Sequence, residues 1–130
     1  MENLYIPATN ETPEINFRFT EHKLHINGES YPENAMAFYA PIRASLNDYL
    51  SSAHPQGEVE AHISLKYFNS SSTKLIRSMI ALMHDSAQAG KRIVTHWYHD
   101  PDDDMMSEFG NDLKDEFRMM DIRVVALEPA

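Results

Sequence analysis

The 130-residue chain predicts an α/β domain whose sheet grows strand by strand, a sequential β-α superhelix. Two observations carry that prediction. Strand-like and helix-like segments alternate in the order strand, strand, helix, strand, helix, strand, helix, strand. Such alternation implies parallel pairing through right-handed crossovers. The early strands also place a polar side chain at every second residue, which leaves one sheet face wet and sends the helices to the other. With every crossover right-handed and every helix on one face, each new strand joins the same side of the last. The expected product is a mostly parallel five-stranded sheet whose first strand runs antiparallel to the second at one edge.

Ile15, Phe17 and Phe19 alternate with Asn16, Arg18 and Thr20 in the first strand, and Leu24 and Ile26 with His25 and Asn27 in the second. Residues 33–51 form the first helical pattern, with Met36, Tyr39, Ile42, Leu46, Tyr49 and Leu50 at spacings of three and four. Pro41 lies inside it and predicts a kink, a late start or a break, because proline lacks a backbone donor and clashes with the preceding turn. The third strand alternates Val59, Ala61, Ile63, Leu65 and Tyr67 with Glu60, His62, Ser64 and Lys66. Residues 71–89 make the second helix, with Leu75, Ile76, Met79, Ile80, Leu82 and Met83 as its apolar stripe and Gly90 as its C-terminal glycine. Residues 92–98 are a fourth strand, more uniformly apolar. Residues 102–119 open on acidic side chains suited to a helix N-terminus and continue with Met105, Phe109, Leu113 and Phe117. Residues 122–127 close the sheet.

The length suits one domain, residues 1–130, and 42% hydrophobic with 24% charged residues is a globular composition. No segment approaches the roughly 18 uncharged apolar residues of a membrane span. The start, MENLYIPATNETPE, lacks the layout of a signal peptide, so a cytoplasmic location without membrane attachment is expected. The chain has no cysteine, which excludes disulfides, thiol catalysis and thiolate metal sites. A net charge of -9 repels a polyanion, so nucleic acid is not an expected partner.

One short stretch, YFNSSSTK at residues 67–74, places four hydroxyl side chains at the carboxyl end of the third strand, where it enters the second helix. In open α/β sheets this end builds sites. Asn69, Ser70 or Ser71 is expected to cap the helix by accepting an unpaired backbone N–H, a contribution of about 1 kcal/mol. One cap needs one such side chain, so the other hydroxyls are left over. A phosphoryl group there would meet free amide donors and the positive end of the helix dipole, and would add about -1.5 to -2 charges at neutral pH. Lys74 and Arg77 lie one and two turns in, near enough to help hold an anion.

The stretches ETPEINF (residues 11–17), GESYPENAMAFYAPI (28–42), YFNSSSTK (67–74) and WYHDPDDDMMSEFG (97–110) resemble those of the SiaC family of bacterial regulatory phosphoproteins. The resemblance runs in the same order through nearly the whole chain. It implies a STAS-like (SpoIIAA-like) fold and a place in a partner-switching system. A kinase resembling anti-sigma factors would phosphorylate a hydroxyl at the start of the second helix, and a PP2C-type phosphatase would remove the phosphate. The unmodified protein would bind and activate a diguanylate cyclase, raising cyclic di-GMP and promoting biofilm or aggregation. The family's modified residue is usually a threonine directly after an asparagine, and Ser70 holds that position here. Ser71 is the reserve, because ordinary STAS antagonists carry their phosphoserine near that point. The resemblance extends to the segment SYPEN at residues 30–34, making Tyr31 and Asn34 candidate partner contacts beside Asn69, Ser71, Ser72, Lys74 and Arg77. By residues alone, Pro32 marks a turn there and Asn34 caps the first helix.

An anti-sigma-factor antagonist, the same fold with a different client, is the alternative. A small metal-dependent enzyme is the reading from another class, and its best cluster is His96 and His99 beside Asp100, Asp102, Asp103 and Asp104. His96 and His99 are an odd number apart, so one strand points them to opposite faces. As a calcium loop the acidic run lacks the glycine, since Met105 stands there, and the final glutamate, where Asn111 stands. No G-x-S-x-G, H-E-x-x-H, P-loop or G-x-G-x-x-G is present. Neither catalysis, a metal nor a cofactor is expected.

Overall fold

The computed structural model describes residues 2–52 and 58–127. In chain order these form β1 (Leu4–Ile6), β2 (Glu14–Arg18), a 3-10 turn (Phe19–Glu21), β3 (Lys23–Ser30), α1 (Ala35–Ser51), β4 (Glu58–Phe68), α2 (Ser70–Gln88), β5 (Arg92–His99), α3 (Asp104–Glu116) and β6 (Asp121–Ala126). The strands make one six-stranded sheet in sequential order. β1 to β2 and β2 to β3 are antiparallel; β3 to β6 are parallel. Addition of each strand to the same side is therefore found, with two corrections. The sheet has six strands rather than five, and its antiparallel edge is β1, with β2 one position in. Three residues are too few to display an alternation, which is why β1 escapes a periodicity argument.

Ile15, Phe17, Leu24, Ile26, Ala61 and Ile63 join Tyr39, Ile42, Leu46, Ile76, Met79 and Leu113 of the helices in one buried core. The alternate side chains, among them Asn16, Arg18, His25, Asn27, His62 and Tyr98, line an open hollow of about 510 Å³ on the sheet. Phe19 is buried too, but from the 3-10 turn, which ends at His22 in the left-handed region (φ 58°).

The alternation expected through Tyr67 breaks at a bulge. Gly28 pairs with Leu65 and Glu29 with Tyr67, so Lys66 has no partner and the strand slips by one residue. A slip of one exchanges the two faces. Tyr67 is thus 53% exposed instead of buried, and Phe68 packs partly into the core. Gly28 takes φ +131°, and a Cβ there would stand 3.3 Å from the Pro13 Cα, so backbone conformation and space both require glycine.

All three helices are capped by side chains. Asn34, Asn69 and Asp103 accept from the backbone N–H of Ala37, Ser72 and Met106. Gly90 (φ 109°) ends α2, with Gly90 N–H donating to the Ala87 carbonyl and Lys91 N–H to that of Ser86. That is the paired pattern of a Schellman motif. The break or late start expected at Pro41 is absent, because α1 runs unbroken from Ala35 to Ser51. Pro41 itself is exposed, while Tyr39, Ile42, Leu46 and Tyr49 are buried to within 1%, so packing of the opposite stripe holds the helix across the missing bond. Met36 and Met105, which spacing assigns to apolar stripes, are 63% and 82% exposed.

α3 packs on β5 and β6 through a glycine. A Cβ on Gly110 would lie 2.5 Å from Trp97 Cδ1 and 3.0 Å from Val124 Cγ2. Gly110→Ala therefore sets a helix-propensity gain of about 1 kcal/mol against an overpacking cost of about 1–3 kcal/mol. Net destabilisation is expected, read as a lower midpoint in thermal denaturation. An unchanged or raised midpoint would show that α3 lifts off the sheet without cost.

Candidate functional site

The end of β4 and the start of α2 separate the four hydroxyls of residues 70–73 by direction. Asn69 is the cap, and its Oδ1 accepts from Ser72 N–H at 2.9 Å. Ser72 is fully buried, and its hydroxyl accepts at 2.8 Å from the equally buried Ser30 of β3. With its single proton given to Ser72, the Ser30 oxygen takes a proton from Tyr39 of α1 at 2.6 Å. Burial raises the Tyr39 phenol to about 12, opposed by its bond to Ser30, so it remains a donor at neutral pH. Asn69 N–H donates to the Ser30 carbonyl at 2.9 Å, and Thr73 Oγ1 donates back to the Asn69 carbonyl at 3.0 Å. The first turn of α2 is thereby fastened to β3 and α1.

Ser70 and Ser71 remain. Both are exposed, and among the described residues neither hydroxyl has a hydrogen-bond partner. They line an open hollow of about 410 Å³ with Glu33, Asn34, Ala35 and Met36 of the α1 start and with Lys74 and Leu75. Of the sequence candidates, Asn34, Ser70, Ser71 and Lys74 thus share one hollow. Lys74 is exposed and has no ion pair among the described residues, leaving its ammonium available to an anion on the neighbouring serines.

Three candidates fall elsewhere. Ser72 faces inward and has no surface to offer a partner. Arg77 is held by α3, ion-paired with Glu116 and lying 5.5 Å over the Phe109 ring, so it does not reach back to the serines. Tyr31 is outside the hollow, with its ring edge-to-face against Tyr67 at 5.9 Å. That pair is exposed at the carboxyl ends of β3 and β4, and Tyr67 is a surface residue that alternation assigns to the core. The bulge exposes it, and a lone Gly28 in a strand is the available signal.

The acidic run at Asp100–Asp104 is a helix start. Asp100 Oδ1 accepts from Asp102 N–H at 2.9 Å and Asp103 caps α3. His99 Nδ1 donates to the Asp100 carbonyl at 2.9 Å. His96 instead joins a row of imidazoles across the open sheet face: His25 of β3, His62 of β4 and His96 of β5 stand in register. Neighbouring rings stack at 4.9 and 4.6 Å. Burial, with His96 and His25 alongside, holds His62 below the ordinary histidine range. Only sheet pairing brings these residues together, so local spacing gives no sign of the row.

The architecture defines a small α/β protein with exposed hydroxyls at a capped helix start, at the carboxyl end of its sheet. Residues 6–127 match the SiaC family of regulatory phosphoproteins, and the chain belongs to that family. An uncharacterized protein of Pseudomonas aeruginosa (strain UCBPP-PA14) is 27% identical over 89% of this chain and 90% of its own length. Two solved structures from Pseudomonas aeruginosa are similar throughout. One is apo-SiaC, with TM-score 0.86, 25% identity, and coverage of 97% of this chain and all of that one. The other is the diguanylate cyclase SiaD in complex with its activator SiaC, with TM-score 0.86, 25% identity, and coverage of 95% and 99%. No helix among the described residues is long and apolar enough to cross a membrane.

Proposed function

We propose that this chain is a non-enzymatic, phosphorylation-switched regulator. Its unphosphorylated form binds and activates a diguanylate cyclase, and phosphate on Ser70 blocks that contact. The family it belongs to and its likeness to the activator of SiaD support the cyclase as client. The observation that carries the switch is the Ser70 hydroxyl, exposed and without a hydrogen-bond partner among the described residues, on the first residue of α2 and beside a hollow bounded by the start of α1. A phosphoryl group on it would sit at the positive end of the helix dipole, within reach of Lys74, and could be accepted without unfolding. The added dianion would change the potential met by an approaching apolar or acidic helix, to which Met36, Tyr31 and Tyr67 present exposed apolar side chains. Writing and erasing the mark falls to an anti-sigma-factor-like serine/threonine kinase and a PP2C-type phosphatase. In this reading residues 1–130 act as a single domain in the cytoplasm.

The test is cyclic di-GMP synthesis by the cognate cyclase with unmodified chain, with kinase-treated chain, and with chain treated first by kinase and then by phosphatase. Activation is expected in the first and third and not in the second. Recovery of a sigma-factor-binding kinase with no cyclase, and no activation in any sample, would overturn the reading in favour of an anti-sigma-factor antagonist.

A further inference from the structure

We propose that Glu60, His62 and His96 bind a divalent transition-metal ion of the zinc class on the sheet face opposite the helices. His62 on β4 stands directly opposite His96 on β5, and Glu60 lies two residues before His62 on the same face. One ligand atom from each lies within 4.8 Å of the other two, and all three residues are half-buried. Bound zinc sits about 2.0–2.2 Å from nitrogen and oxygen ligands, so side-chain rotation, with the strands fixed by their pairing, closes the set around an ion.

The surrounding groups fit a ligand role better than simple packing. Glu60 has neither a side-chain hydrogen bond nor an ion pair among the described residues, even though Lys23 stands opposite it in the β3–β4 register. A half-buried carboxylate beside two imidazoles makes no direct ion pair among the described residues, and a bound cation would supply one. The His62 Nδ1 lies 2.8 Å from the Tyr98 hydroxyl. With Nδ1–H donating to that oxygen, the Nε2 lone pair is presented to the metal, the outer contact that fixes ring orientation at histidine metal sites. Two nitrogen donors and one carboxylate suit zinc and its neighbours in the transition series and disfavour calcium and magnesium, which take oxygen ligands. Three protein ligands leave a fourth position for water or a partner's side chain. His25, stacked on the other side of His62, is outside the set.

The proposal is independent of the regulatory reading, and its test needs neither cyclase nor kinase. The full chain, stripped with EDTA, is titrated with Zn²⁺ against a chromophoric chelator while histidine imidazole nitrogens are followed by NMR. One Zn²⁺ per chain is expected, with the His62 and His96 signals shifting and that of His99 unmoved. His62→Ala and His96→Ala should each weaken binding by more than about tenfold, and Tyr98→Phe by about tenfold. His99→Ala should bind as wild type, and far-UV circular dichroism should show each variant folded. Absence of Zn²⁺ binding, or binding undiminished in folded His62→Ala and His96→Ala chains, would overturn the assignment.

Discussion

A Ser70→Ala chain is expected to take no phosphate from the cognate kinase and to remain an activator of the cyclase in that kinase's presence. The substitution removes an exposed hydroxyl with no partner among the described residues, at a position where the cap is Asn69. Its effect on stability should therefore stay within about 0.5 kcal/mol, as for exposed positions without special contacts. Loss of modification would then report chemistry, not unfolding. Ser71→Ala is the companion, expected to accept phosphate as wild type does. Intact mass and peptide mapping decide between them, and phosphate on Ser70→Ala at wild-type level would transfer the assignment to Ser71. An aspartate at position 70 is a poorer mimic, because one carboxylate carries less charge and fewer acceptor oxygens than a phosphate.

The largest expected loss of stability belongs to Trp97→Ala. Trp97 is 1% exposed, and its ring meets Phe109 at 5.2 Å and Phe68 at 6.2 Å. Its indole N–H donates to the Met106 carbonyl at 2.9 Å, and Gly110 allows α3 to lie against the ring. Truncation leaves a cavity and removes the indole's hydrogen bond to α3, and costs about 3–5 kcal/mol of a total on the order of 5–15 kcal/mol. The thermal midpoint should fall by about 10 °C or more. Because Trp97 is the single tryptophan, the melt must be followed by circular dichroism instead of intrinsic fluorescence. A fall of only one or two degrees would mean that α3 is not anchored through this ring.

Legibility in the sequence divides along the reach of each signal. Alternation in β2, β3 and β4 and the apolar stripes of α2 and α3 are local, and with the handedness of crossovers they suffice for strand order. Asn34 and the acidic start of α3 announce their caps, and Gly90 announces a C-terminus. The bulge at Gly28 depends on two strands at once, so the glycine marks an irregular strand and only the pairing with β4 turns Tyr67 outward. The same holds for the site. YFNSSSTK is recognisable as a helix start with spare hydroxyls, but which of them is spare depends on Ser30 and Tyr39, which lie 42 and 9 residues apart in chain from their partners. Glu60 and His62 are separated from His96 by a whole helix, and only the β4–β5 register joins them.

The relay from Tyr39 through Ser30 to Ser72 splits one run of near-identical residues into foundation and façade. The layer beneath is set by interior chemistry and tolerates little exchange, whereas the layer on top can exchange one alcohol for another without disturbing the footing. Exchange of serine for threonine at residue 70 would therefore leave the masonry two residues along as it was.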